Sequence, residues 1–147
     1  MLPELEPWSF QIKPGFRIRG WRTQFSGKPL INFLHGNGFS SLTYLPMLKL
    51  LLKDFDLIMT DLPGHGDSDA GRPFSPWNGS AKCALDVLNY FSEQLPSSTK
   101  IYGLGHSYGG VLTGLIAGKE QQRFDKCMLM DPVIFSRKML KAMKPLK

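Results

Sequence analysis

The chain has 147 residues, the length of one domain, and its 42% hydrophobic and 20% charged content is that of an ordinary globular protein. This composition supports a buried core and excludes a wholly disordered chain, and no run approaches the ~18 uninterrupted apolar residues of a membrane-spanning helix. The net charge of +6 is carried largely by Arg137, Lys138, Lys141, Lys144 and Lys147, which stand near the end without an acid among them. A basic tail on a nearly neutral body argues against a nucleic-acid-binding face.

The first residues, Met1 to Glu6, are acidic and lack the basic-then-apolar order of a secretory signal. Neither Cys83 nor Cys127 sits in a CxxC or His-paired spacing, so both are read as buried free thiols, favouring a reducing, cytoplasmic setting. Residues 8–28 alternate polar and apolar around Trp8, Phe10 and Ile12, then Phe16, Ile18 and Gly20. Pro14-Gly15 divides them, which predicts two antiparallel strands joined by a turn. Four short, mostly apolar runs follow: Leu30–Leu34, Phe55–Met59, Lys100–Leu104 and Cys127–Met130. Runs apolar on both faces suit parallel strands covered by helices. Helical spacing lies between them, with Pro46 opening one helix whose apolar face holds Leu48, Leu51 and Leu52. A second helix carries Ala81, Leu85, Leu88, Phe91 and Leu95 and stops at Pro96, and a third carries Val111, Leu112, Leu115 and Ile116. Strands alternating with helices on short connections predict an open α/β sheet over residues 1–135, followed by a basic segment, 136–147.

Gly105-His106-Ser107-Tyr108-Gly109 follows a predicted strand and precedes a predicted helix, the setting of a G-x-S-x-G nucleophile elbow. Such an elbow projects the serine oxygen from the top of the sheet, and side chains at 105 and 109 would collide with the turning chain. The helix start aims its free N–H groups at the reaction centre, that of Tyr108 directly after the serine. A tetrahedral intermediate needs a second oxyanion donor, and His35-Gly36-Asn37-Gly38, after the first parallel strand, offers a loop for it. His35 itself is read as a structural histidine bonding its own loop. Asp61-Leu62-Pro63-Gly64-His65-Gly66-Asp67-Ser68-Asp69 is read as turn chemistry rather than a metal site, because Asp, Pro and Gly crowd it and no ligand spacing appears. The reading calls for no cofactor and no metal.

H-G-N-G, D-L-P-G-H-G-D-S and G-H-S-Y-G-G, in this order and at these separations, resemble the α/β-hydrolase superfamily across roughly residues 8–135. The resemblance implies an α/β fold with two leading antiparallel strands and a mostly parallel sheet flanked by helices. It implies Ser107 as nucleophile, with the backbone N–H groups of Asn37 and Tyr108 holding the oxyanion. Family order is serine, acid, then histidine, yet His35, His65 and His106 all precede Ser107. His106 adjoins the nucleophile, but neighbours across an elbow point apart. Asp131, at the tip of the last apolar run, is a candidate acid; the commoner family position follows a later strand.

The expectation is therefore an incomplete hydrolase core, with later strands and lid missing and residues 136–147 as the start of a lid. The predicted activity is hydrolysis of carboxylic esters or related acyl substrates through a Ser107 acyl-enzyme, with little turnover by this chain alone. Trp77, Tyr44 and Phe39 are candidates to line an acyl pocket. The alternative is a truncated, non-catalytic protein that binds a small apolar ligand or a partner chain. An unpaired apolar edge near 127–130 also predicts self-association.

Overall fold

A computed structural model describes residues 5–70 and 76–134. Strands β1 (Glu6–Lys13) and β2 (Phe16–Arg22) form an antiparallel hairpin. The alternating apolar positions all turn to one side: Trp8, Phe10 and Ile12 pack with Phe16 and Ile18 in one cluster. Four further strands, β3 (Leu30–Leu34), β4 (Asp56–Asp61), β5 (Ile101–His106) and β6 (Lys126–Met130), complete a six-stranded sheet ordered β1-β2-β4-β3-β5-β6. β2 joins β4 antiparallel, and every other new pairing is parallel. The sheet is thus mostly parallel, as the alternation of apolar runs and helical patterns predicts.

Helices cover both faces, and the pleat assigns side chains between them. On one face Ile31, Phe33, Leu57, Met59 and Leu104 meet Leu48 from the short helix α1 (Leu45–Leu48). On the other, Leu30, Ile58 and Leu34 meet α2 (Pro76–Ser92) and α3 (Tyr108–Lys119), through Val87, Leu88 and Phe91 and through Leu112 and Ile116. Every residue of β3 and β4 is buried, and each large apolar side chain so enclosed contributes about 1.5–3 kcal/mol.

Strands β4, β5 and β6 shift by a residue or two from the predicted runs, and the helix boundaries depart from the sequence reading in three places. The helix predicted from Pro46 is broken up: 3-10 turns at Ser41–Tyr44 and Lys49–Leu51 flank α1, and Leu52 lies beyond them. α2 starts before Ala81 and ends at Ser92, short of Leu95. There the N–H groups of Gln94 and Leu95 donate to the carbonyls of Phe91 and Ser92, a tightened last turn, because Pro96 disfavours helical backbone at the residue before it. Cys83 is buried as expected, but Cys127 is exposed. The correction has a physical cause: among the described residues β6 has a neighbour on one side only, so its flanks are not covered. The basic segment 136–147 lies outside the described residues.

Candidate active site

Ser107 is the single residue between the end of β5 and the start of α3, and it takes φ 50°, ψ −113°. Its N–H donates to the Met130 carbonyl at 2.9 Å, and its carbonyl accepts from Val111 N–H at 3.1 Å. One bond anchors the elbow to β6, the other opens the helix. Glycine is required on both sides: a Cβ at Gly105 would lie 2.3 Å from the Gly109 carbonyl oxygen, and one at Gly109 only 2.1 Å from that of Leu34. The second contact shows that the first turn of α3 rests on the end of β3. Ser107 is half-buried at this junction, where the N–H groups of the first helical turn give a positive end.

His35, fully buried, begins the loop after β3. Its Nε2 accepts Leu62 N–H at 2.9 Å, so Nδ1 carries the proton and donates to the Gly36 carbonyl at 2.8 Å. Burial holds the imidazole below its ordinary pKa, the neutral form this bonding needs. His35 thus bridges the loops after β3 and β4, the structural part its sequence context suggests. Asn37 is exposed, and its side-chain oxygen lies 3.1 Å from His65 Nε2, while His65 Nδ1 lies 3.1 Å from the Pro63 carbonyl. Between these loops runs an open groove of about 530 Å³ lined by Asn37, Phe39, Ser40, Thr43 and His65.

The 61–69 segment is the turn its composition predicts. Asp61 accepts backbone N–H groups from Ser41 at 2.7 Å and Asp67 at 3.1 Å, and Ser68 Oγ donates to the Asp61 carbonyl at 2.6 Å. Asp69 accepts Arg17 N–H and pairs with the Arg19 guanidinium, which holds its carboxyl below the usual range. Asp61 and Asp69 are thus spent on backbone amides and on β2. Among the described residues no group of three or more His, Cys, Asp or Glu is placed to hold a metal ion.

The remaining candidates separate. Tyr108 begins α3; its ring packs edge-on against Trp77 at 5.1 Å, and burial pushes its phenol up while a Ser80 hydrogen bond opposes this. Asp131 is exposed at φ 43°, next to the Met130 whose carbonyl receives the Ser107 N–H. Of the three aromatics assigned to a pocket, Phe39 lines the groove and Trp77 packs on Tyr108. The Tyr44 hydroxyl instead accepts Gly36 N–H at 3.1 Å and lies 2.7 Å from His106 Nδ1. Sequence reasoning missed this contact, because no local spacing links residue 44 to residue 106.

Comparison with known proteins agrees with this architecture. The alpha/beta hydrolase fold family matches residues 29–146. The pimeloyl-[acyl-carrier protein] methyl ester esterase of Pectobacterium atrosepticum is 31% identical over 106 residues, 72% of this chain and 38% of its own length. The monoglyceride lipase of Rattus norvegicus is 29% identical over 121 residues, 80% of this chain and 39% of its own. A carboxyl esterase from Bacillus coagulans, solved in complex with glycerol, superposes with a TM-score of 0.73 at 20% identity, covering 84% of this chain and 43% of that one. The chain therefore spans well under half the length of the curated relatives it matches. With its profile match, sheet order and strand-to-helix junction all in accord, the chain belongs to the alpha/beta hydrolase fold family.

Proposed function

We propose that this chain carries the nucleophile and oxyanion half of an ester hydrolase. The observation that carries the reading is the Ser107 backbone: a non-glycine residue at positive φ between β5 and α3, hemmed by glycines that admit no Cβ. Strained conformations of this kind persist where surrounding structure enforces them, and they cluster at reaction centres. Ser107 Oγ attacks the acyl carbonyl, and the N–H groups of Asn37 and Tyr108 hold the oxyanion that forms. The proton leaves to a histidine base and passes to the departing alcohol as the acyl-enzyme forms. Water then attacks that ester and gives its proton to the same base, which returns it to Ser107 Oγ as the acyl–oxygen bond breaks and the acid departs.

All three histidines of the sequence have other bonds: His35 to Leu62 and Gly36, His65 to Pro63 and Asn37, His106 to Tyr44. We accordingly assign the base to chain beyond these 147 residues, with Asp131 a candidate acid, and expect the 147-residue chain alone to turn over little. The same histidine commitments favour the second reading, a non-catalytic chain that binds an apolar ligand or a partner. Ester substrates are supported by the esterase and lipase named above. Two free thiols fit a cytoplasmic setting, and the open flank of β6 fits self-association of the isolated chain.

A fluorophosphonate probe tests the assignment in the full-length protein. Labelling of the parent that vanishes in Ser107→Ala supports it. Labelling that survives the substitution assigns the nucleophile elsewhere, and an unlabelled parent favours the non-catalytic reading.

A further inference from the structure

The two sides of the proposed oxyanion site come from segments far apart in sequence, the loop after β3 and the elbow after β5. Something must hold them in register to within a few tenths of an ångström, because a misplacement of about 1 Å costs on the order of 100-fold in rate. One side chain touches both. Tyr44 reaches from the 3-10 turn before α1, and its hydroxyl meets Gly36 N–H at 3.1 Å and His106 Nδ1 at 2.7 Å. Gly36 directly precedes Asn37, and His106 directly precedes Ser107.

The chemistry of the groups sets the direction of one bond. The amide of Gly36 only donates, so the Tyr44 oxygen accepts it; between that hydroxyl and Nδ1 either atom serves as the donor, according to the His106 tautomer. Packing makes the contact specific. A Cβ on Gly36 would lie 2.9 Å from His106 Nδ1 and 3.0 Å from the Tyr44 oxygen, so any side chain here must displace one of the two partners. The Tyr44 ring is itself fixed between Phe33, at 4.9 Å, and Phe39, at 6.0 Å. Phe33 lies in fully buried β3, so the anchor is rigid.

We propose that Tyr44 and His106 are positioning residues that lock the oxyanion loop to the nucleophile elbow through the Gly36–Tyr44–His106 chain of hydrogen bonds. Neither touches the reacting atoms. Each acts by setting the separation between the Asn37 and Tyr108 amides. This rests on the reading of Ser107 as nucleophile.

The test uses the full-length protein and reads three quantities: the fluorophosphonate labelling rate, kcat and KM on a simple ester, and the thermal midpoint. Tyr44→Phe removes one hydroxyl and keeps the ring. His106→Leu removes the ring nitrogen. His106→Asn keeps a hydrogen-bonding group near the place of Nδ1. We expect Tyr44→Phe and His106→Leu each to slow labelling and kcat about tenfold with KM within about twofold. The double variant should be no slower than either single, since both break one chain of bonds. His106→Asn should recover most of the loss. Labelling of Tyr44→Phe at the parental rate overturns the proposal, and so do losses that multiply in the double variant. A fall in thermal midpoint with unchanged kcat likewise overturns it, as it marks packing alone. A parent that does not label at all removes the hydrolase reading and this inference with it; a parent that labels beside an unaffected Tyr44→Phe removes the inference only.

Discussion

Ser107 holds φ 50°, ψ −113°, a conformation that costs a side-chain-bearing residue about 1–3 kcal/mol. Alanine keeps that strain and glycine relieves it. We therefore expect Ser107→Gly to be more stable than Ser107→Ala by about 1 kcal/mol in urea unfolding, even though glycine loosens the unfolded chain. The reverse order would show that the turn is unstrained. His35 makes a second residue-scale prediction. Burial sets its folded pKa below the ordinary 6.5, so between the two values the unfolded chain binds more protons. Its contribution to stability is complete above pH 6.5 and is lost as the pH falls through that value toward the lower folded one. Urea midpoints should drop between pH 7 and pH 5, with a slope of at most about 1.4 kcal/mol per pH unit from this group. In His35→Gln that part of the slope should disappear. A slope unchanged by the substitution would assign the acid sensitivity to other groups.

The strand-to-helix junction depends on backbone packing that leaves no room for a methyl group. Gly109→Ala places a Cβ 2.1 Å from the Leu34 carbonyl oxygen, so α3 must move off the end of β3. Its expected cost is about 1–3 kcal/mol in stability. Labelling at Ser107 in the full-length protein should fall by on the order of 100-fold, because the elbow shifts with the helix. Parental labelling in this variant would mean that the elbow tolerates displacement. Legibility also differed from one element to another. β3 is readable because all five of its residues are buried, leaving an apolar run interrupted only by Asn32. In the segment before β4, Leu48, Leu51 and Leu52 share a spacing that predicts one helix, yet the backbone breaks into 3-10 and α turns. Apolar spacing reports which side chains face the core, and both helix types satisfy it over so few residues.

Across the whole sheet, burial is uneven. β3 and β4 are enclosed, whereas Met128 on β6 is 63% exposed and Ile134 just beyond it 77%. An open strand flank bearing large apolar groups invites pairing with another chain. The 147-residue chain should therefore associate in a concentration-dependent way in sedimentation velocity, and Met128→Glu should shift it toward monomer. A parental chain that stays monomeric at high concentration would count against this. The same unevenness separates the two thiols. Burial pushes Cys83 up to about 11 and encloses it, while Cys127 is exposed. Iodoacetamide at pH 8 should modify Cys127 well before Cys83 in the native protein, as read by peptide mass spectrometry.

Short-range information in the sequence determined the order of strands and helices, the antiparallel start, and the place of the serine between a strand and a helix. These follow from apolar periodicity and from glycines whose need is local, such as Gly105 against Gly109. It also determined that the 61–69 segment is a turn, since Asp61 bonds to the Asp67 amide within that segment as well as to the Ser41 amide. Tertiary structure alone decided that Gly109 rests on the end of β3, that His35 reaches Leu62, and that Tyr44 joins Gly36 to His106. The reason is physical: each of these contacts joins loops, turns or helix starts that the sheet brings together only once it forms, and contacts between such distant residues leave no period in the chain.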